Sequence, residues 1–482
     1  MEKFVSSRNI NNKASSYVAV LKGLSSDGGL YTPSEIKKID NIYQLKDLPY
    51  VDLSHRIISH IFDDMDEKEI SECVHEAYDH NFDNEEITPV VKVNDKYLVE
   101  LWHGPTCAFK DVALTFLPHL MKTANKKIGN GKEIVILTAT SGDTGKAALE
   151  GFKDVEGTAI KVLYPYKMVS LAQERQMSTT GGKNTDVIAV KGNFDDCQRM
   201  VKEIFEEYKE DNIYLSSANS INIGRLVPQV VYYFKAYFDL LNKNEIEKDE
   251  LVDFIVPTGN FGDILAGYFA KKMGLPVNKL VCASNENDVL TEFLNTGRYS
   301  SKRELYNTMA PSIDILVSSN LERLLFMKSG DDTLVKKLME SLKNNKEYQV
   351  EDKLLNSIKE DFIGMKAEKK ESMETIRKYY EEYGYLVDTH TAVALSCADK
   401  YESEYKKIVL STASPFKFSK DVYECIYDEK IPDDLYAMDK LSDRTGKELP
   451  LQLKVLKDLP VRFEEVIEVK DKELIFDKLR RY

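Results

Sequence analysis

Ile134-Val-Ile-Leu-Thr-Ala-Thr-Ser-Gly-Asp-Thr-Gly-Lys146 is an apolar, β-branched run that ends in a Ser/Gly/Thr loop and opens a helix over Ala147–Phe152. A strand that feeds its chain straight into a helix is the unit from which parallel sheets are assembled. The loop at such a junction leaves amide N–H groups without intrahelical acceptors, and the helix dipole adds positive potential. The junction therefore favours a phosphate or a carboxylate. It is not a Walker A loop: Thr140 stands where that motif has its first glycine, and Ala147 where it has Ser or Thr. Ser, Thr and Asp also cap helices that bind nothing, so this segment alone leaves both readings open.

The same texture repeats on either side. Runs at Tyr97–Leu101, Glu133–Thr138, Ile160–Tyr164, Asp186–Val190, Asp253–Pro257, Lys279–Ala283 and Lys407–Leu410 alternate with helical stretches such as Asp195–Tyr208 and Asp263–Met273. The expected fold class is α/β, with parallel sheets covered by helices and ligands bound at the carboxyl ends of the strands. Residues 1–93 carry the turn-rich Gly23–Pro33 segment and then a mostly helical pattern, which predicts a separate N-terminal region. Residues 94–426 hold the α/β pattern. It is interrupted over about 330–385 by a Lys- and Glu-rich stretch that reads as two or three amphipathic helices, with strand signals returning at Tyr385–Val387. Residues 427–482 form a charged C-terminal extension without a chemical motif.

Composition narrows the function classes. Over 482 residues, 66 Lys+Arg face 80 Asp+Glu, a formal charge of −14. That balance argues against nucleic-acid binding, which needs a positive surface to displace counterions. Six scattered cysteines form no close pair, which fits a reducing compartment rather than a disulfide framework or zinc knuckle. The N-terminus lacks the apolar run of a signal peptide, and no run reaches the ~18 apolar residues of a membrane helix. Leu226 to Leu241 comes nearest and is broken by Pro228, Gln229 and Lys235. His75-Glu76 is followed by His80, five places on where a zinc helix needs four, so no metal site is expected. A cytoplasmic enzyme of small molecules fits these limits.

Four further stretches carry chemistry. Leu101-Trp-His-Gly-Pro-Thr-Cys-Ala-Phe-Lys-Asp111 places Lys110 at a helix start, where the dipole disfavours a cation. Asp253-Phe-Ile-Val-Pro-Thr-Gly-Asn-Phe-Gly-Asp263 is a second strand–loop–helix junction, whose Gly259 and Gly262 suit a nest of amides around one phosphate. Ser216-Ser-Ala-Asn-Ser-Ile-Asn-Ile-Gly-Arg225 ends in an arginine that either grips an anion or pairs with a carboxylate. Ile408-Val-Leu-Ser-Thr-Ala-Ser-Pro415 ends a strand in hydroxyl residues, which can bond a ring nitrogen without bringing charge. A lysine, two anion loops and a hydroxyl cluster at strand ends suggest a Schiff base with pyridoxal 5'-phosphate.

At these motifs the chain resembles the threonine synthases of the longer class, over about Val18 to Lys420. The resemblance rests on Gly28-Gly-Leu-Tyr-Thr-Pro33, His103-Gly-Pro-Thr-Cys-Ala-Phe-Lys-Asp111, Leu137-Thr-Ala-Thr-Ser-Gly-Asp-Thr-Gly145, Ser217-Ala-Asn-Ser-Ile-Asn222, Gly259-Asn-Phe-Gly-Asp263 and Ser411-Thr-Ala-Ser-Pro415, in the family's order. It implies a tryptophan synthase β-type fold, with two parallel-sheet subdomains flanking the cofactor, the smaller over about 132–225. It implies conversion of O-phospho-L-homoserine and water to L-threonine and phosphate, by a monomer or homodimer. Alternatives are a phospholyase or dehydratase that releases 2-oxobutyrate, and a catalytically silent pyridoxal-phosphate-binding protein.

Carried over residue by residue, the resemblance implies that Lys110 is the catalytic residue and holds the cofactor as a Schiff base. Gly259, Asn260, Phe261, Gly262 and Asp263 would surround the cofactor phosphate, and Thr412 would face the pyridine nitrogen. Thr140, Ser141, Asn219, Ser220 and Arg225 would hold the substrate phosphate, Ser141 to Thr144 with Gly142 its α-carboxylate, and His103 would wall the pocket. Shorter relatives have asparagine in place of Asp143, which here would set a negative charge against the cofactor's phenolic oxygen.

Overall fold

The computed structural model of the protein describes residues 2–140 and 142–481. Two parallel sheets organise it. The larger runs Phe362–Lys366, Val277–Ser284, Val252–Pro257, Lys406–Ser411, Lys96–Glu100 and Val90–Val93, with only the last strand antiparallel. The smaller runs Val466–Glu468, Thr185–Lys191, Thr158–Pro165, Glu133–Ala139 and Ile213–Ser216, all parallel. Every residue of Val252–Pro257 and of Thr158–Pro165 is buried, as expected of strands covered by helices on both faces. The α/β reading of the sequence is therefore the architecture observed.

Topology brings the distant motifs together. Lys406–Ser411 lies between Val252–Pro257 and Lys96–Glu100, with Val409 opposite Ile255 on one side and Leu98 on the other. Three neighbouring strands thus release their chains at one edge, into the loops that carry Thr412, Gly259 and Lys110. In the smaller sheet Ile136 pairs with Ser216, which sets the Thr140 loop beside the Asn219 to Arg225 segment. The sheets meet through the helices Lys110–Leu114 and Asp143–Phe152. A Cβ on Gly151 would sit 1.9 Å from the carbonyl oxygen of Leu114, so only glycine permits this backbone contact.

Packed against the helices Tyr50–Ile61 and Gly262–Lys272, Val230–Asn242 is a helix apolar nearly all round, with Tyr232, Tyr233, Phe234 and Tyr237 fully buried. Each such side chain stabilises the fold by ~1.5–3 kcal/mol. The helix is a core element made from the longest apolar run in the chain. No helix among the described residues is long and apolar enough to cross a membrane.

Local details depart from the regional expectations. The N-terminal region is mostly helical, as expected, with Ser16–Lys22, Tyr50–Ile61 and Glu67–Tyr78; Phe4–Ser6, Asn9–Ala14 and Tyr31–Pro33 add a small antiparallel sheet ahead of the last two. Position 93 falls at the turn of the hairpin Val90–Val93/Lys96–Glu100, so this edge of the larger sheet straddles the expected division. Residues 330–385 contain three helices but also Phe362–Lys366, an edge strand of the larger sheet. Tyr385–Val387 forms no strand; it is an irregular lead into the helix Thr389–Lys400, capped by Asp388. The tail likewise supplies Val466–Glu468, which closes one edge of the smaller sheet.

Candidate active site

Lys110 is the first residue of its helix and is buried. The preceding loop is strapped to the end of the central strand: the Phe109 amide donates to the Thr412 carbonyl at 2.8 Å, and the Ser414 amide to the Cys107 carbonyl at 3.1 Å. Asp111 fixes the turn by accepting from the Thr106 amide at 2.8 Å and the Thr106 hydroxyl at 2.6 Å. The ammonium of Lys110 donates to Ser312 Oγ at 3.3 Å and lies 3.7 Å from Asp143 Oδ2. Burial pushes its pKa down to about 8; Asp143 works against that shift, while Lys417 and Arg225 reinforce it.

Asp143 opens the helix of the first junction and is buried. Its Oδ2 accepts from Ser312 Oγ at 3.1 Å, and its Oδ1 accepts from Gln173 Nε2 at 3.2 Å and lies 3.2 Å from Lys417 Nζ. Burial alone would raise this carboxyl, but the charges of Lys417, Lys110 and His390 hold it well below the usual carboxylate range. The Thr140 hydroxyl, also buried, accepts from the Gly142 and Gly145 amides, each at 3.0 Å, and so shapes the loop from inside. A Cβ on Gly142 would stand 2.4 Å from Gln173 Nε2. Thr144 follows on the same helix turn, half-buried. Ser141 lies outside the described residues.

The second junction is held under strain. Phe261 has φ of 62° ahead of the helix Gly262–Lys272, a conformation that costs a non-glycine residue roughly 1–3 kcal/mol. Three bonds from one loop oppose that strain: Asn320 donates through its amide and its Nδ2 to the Asn260 carbonyl, and Ser318 Oγ to the Gly259 carbonyl. A Cβ on Gly259 would lie 2.7 Å from the Ser312 carbonyl oxygen, whereas one on Gly262 would meet nothing nearer than 3.5 Å. The Asp263 carboxylate turns into the core. Its Oδ1 accepts from the hydroxyls of Tyr232 at 2.5 Å and Tyr233 at 3.0 Å; its Oδ2 is buried with no hydrogen-bond partner among the described residues. Burial pushes its pKa up to about 6.

Arg225 decides between the two readings of its segment. It is buried, its Nη1 donates to the Ala218 carbonyl at 2.9 Å, and among the described residues no carboxylate forms an ion pair with it. Burial without a counter-ion pushes its pKa down to about 10. A guanidinium desolvated in this way has most of its donors unspent, and an anion would satisfy them. Asn219 Oδ1 accepts from Thr138 Oγ1 at 3.2 Å, which ties the segment to the first junction. Ser220 Oγ lies 3.3 Å from Ser319 Oγ. Thr412 is buried, and its hydroxyl makes no hydrogen bond to the described residues.

His103 requires a correction. Its Nδ1 lies 2.8 Å from Asp83 Oδ1 and its Nε2 3.0 Å from Glu100 Oε2, so neither ring nitrogen is free for a ligand. Burial lowers its pKa, but the two carboxylates prevail and carry it up to about 9. The ring cross-links the loop to its own strand. Lys417, Ser312 and His390 were not singled out by sequence. The signal for Lys417 is a lysine between Phe416 and Phe418, just beyond the hydroxyl cluster; Ser312 and His390 carry no local signal.

A family profile described as pyridoxal-phosphate dependent enzyme matches residues 82–412, with profiles for the threonine synthase N terminus over 3–78 and C-terminal region over 391–475. Threonine synthase of Saccharomyces cerevisiae is 37% identical over 440 residues, 84% of this chain and 85% of that protein. The chain belongs to the threonine synthase family. Threonine synthase of Pseudomonas aeruginosa is 39% identical over 414 residues, covering 84% of this chain and 86% of that protein. The crystal structure of pyridoxal-phosphate-bound threonine synthase from Brucella melitensis superposes with a TM-score of 0.90 at 35% identity, over 100% of this chain and 99% of that one.

The residues present fit the family's cofactor. A buried lysine of lowered basicity faces a glycine cradle closed by the Ser312 carbonyl, next to the free amides of a long helix. The Asp263 carboxylate is turned away from the cradle, onto the hydroxyls of Tyr232 and Tyr233.

Proposed function

We propose that this chain converts O-phospho-L-homoserine and water to L-threonine and phosphate. One observation carries the choice of substrate: Arg225 is a buried guanidinium without a carboxylate, beside the Thr140 and Asn219 loops and close enough for its charge to act on Lys110. A dianionic γ-phosphate is a group that such a cation would hold in an otherwise acidic protein.

In this reading the loop of Gly259, Asn260, Phe261, Gly262 and Asp263 holds the cofactor phosphate, Thr412 offers a neutral hydroxyl to the pyridine nitrogen, and Asp143 faces the lysine. Arg225, Thr140, Asn219 and Ser220 hold the substrate phosphate. Gly142 and Thr144, with Ser141, receive its carboxylate. Pyridoxal phosphate, when bound, supplies an electron sink for negative charge developing next to the substrate's amino-bearing carbon. Lys110 Nζ takes the proton from Cα, which its lowered basicity suits: near neutral pH a usable fraction is unprotonated. Loss of a second proton, from Cβ, supplies the electron pair that expels the γ-phosphate, and Arg225 holds that phosphate as it departs. Lys110, bonded to Ser312 Oγ, is placed to return a proton at Cγ; water then adds at Cβ and a proton is restored at Cα.

The six cysteines are buried and unpaired, which supports a reducing, cytoplasmic setting. The test is incubation of the purified protein with phosphohomoserine, with threonine and phosphate both quantified. Equal amounts of the two are expected; 2-oxobutyrate and ammonia in place of threonine would make the chain a phospholyase. In Lys110→Ala, turnover and the visible absorbance of lysine-bound cofactor should both vanish, and survival of that band removes Lys110 from its role.

A further inference from the structure

Lys417 is a lysine whose side chain is wholly enclosed. It follows the hydroxyl cluster in the short 3-10 helix Pro415–Phe418, between two buried phenylalanines. Its Nζ donates to the Thr106 carbonyl at 2.8 Å and lies 3.2 Å from Asp143 Oδ1. Thr106 belongs to the loop that delivers Lys110, and Asp143 presents its other oxygen to Lys110 at 3.7 Å. One ammonium therefore ties the lysine's own loop to the carboxylate opposite it. The charged groups that face Lys110 are Asp143, Lys417, Arg225, Asp111 and, across the site, Asp263.

We propose that Lys417 is a positioning residue for Lys110: its ammonium cancels the charge of Asp143 and fixes that carboxylate, so that burial rather than Asp143 sets the basicity of the reactive lysine. Without Lys417, a bare buried carboxylate 3.7 Å away would stabilise the protonated lysine and withhold the base. With it, Asp143 and Lys417 form a neutral pair whose free oxygen still orients Ser312 Oγ between the two side chains. This accounts for an aspartate in the site: its charge is carried by the pair. The inference rests on the reading of Lys110 as the lysine that binds the cofactor.

The test uses the full-length protein freed of cofactor, and reads the rate at which added pyridoxal phosphate acquires its lysine-bound absorbance between about pH 6 and 10. That rate follows the neutral fraction of Lys110, whose midpoint is expected near 8 in the unaltered protein. Lys417→Met should move the midpoint up by at least about one pH unit, a tenfold gain in proton affinity. Asp143→Asn should move it down, and the double variant should return it close to the starting value. Lys417→Arg keeps the charge and should leave it in place. A side chain that only filled space would not shift the midpoint in opposite directions and restore it. Unchanged midpoints in Lys417→Met and Asp143→Asn overturn the proposal. If Lys417→Met does not fold, Asp143→Asn decides: a midpoint that stays or rises overturns it. If the unaltered protein acquires no such absorbance, the reading of Lys110 falls, and this inference with it.

Discussion

Arg225 shows how a single side chain acquires meaning from what is missing around it. A buried guanidinium with no carboxylate partner among the described residues costs stability, a cost that a bound anion would offset. In Arg225→Ala, kcat/KM for phosphohomoserine should fall by roughly 10²–10³, the scale set by removing one charged donor from a developing or bound anion. Kinetics that do not change would take Arg225 out of the substrate site. The same variant should melt no lower than the parent, since truncation also removes a desolvated charge. Sequence named Arg225 and Lys110 because each ends a polar or turn-rich loop before a helix. It passed over Lys417 because that residue sits in an apolar stretch without period, and its partner Asp143 lies far away along the chain. His103 was misread for the opposite reason. Its neighbours in sequence belong to the site, while its ring is spent on Asp83 and Glu100.

Among elements, the seven named runs all became strands of the two sheets, while the short strands Val90–Val93 and Ile213–Ser216 went unnamed. Phe362–Lys366 escaped because its flanks are the charged helices Asp352–Lys359 and Lys369–Tyr383, whose periodicity drowns five residues. Tyr385–Val387 was over-read because burial of an irregular lead-in leaves the same apolar signature as a strand. Which strands lie side by side was not readable at all, since adjacency at the site is a property of topology. The His103 cross-link makes an element-level prediction. Its pKa in the folded protein, about 9, lies above the ordinary 6.5, so its contribution is full below about pH 6.5 and is lost as pH rises through about 9. Melting temperature should therefore fall between those values, and His103→Gln should flatten that part of the profile. A parent profile no steeper than the variant's would mean that the ring is neutral in the fold.

At the scale of the whole molecule, the tail is a component of the smaller sheet and its flank. Val466–Glu468 pairs with Thr185–Lys191, and Ile467, Ile475, Phe476 and Leu479 join the cluster on that sheet's face. Arg462 binds the carbonyls of Thr180 and Gly182, and Arg175 those of Leu456, Lys457 and Leu459. Removing residues 460–482 discards four buried apolar side chains, each worth ~1.5–3 kcal/mol, and bares a strand edge. The shortened protein should be largely insoluble, or should lose the smaller sheet first in hydrogen exchange; unchanged solubility and exchange would show the tail to be dispensable.

The contact of Gly151 with Leu114 has a mechanical corollary. The helix Asp143–Phe152 is pinned at its far end, where no side chain cushions it against the helix that bears Lys110. If the smaller sheet moves when substrate arrives, it cannot slide at that point; it can only swing, with Gly151 as the pivot. Asp143 sits at the free end of the lever, ~12 Å up the helix at 1.5 Å per residue, and sweeps the widest arc. The motion that would shut the Thr140 loop over a carboxylate is then the motion that alters the gap between Asp143 and Lys110. The distance between Asp143 and Lys110, 3.7 Å here, would then change with any swing of the smaller sheet about Gly151.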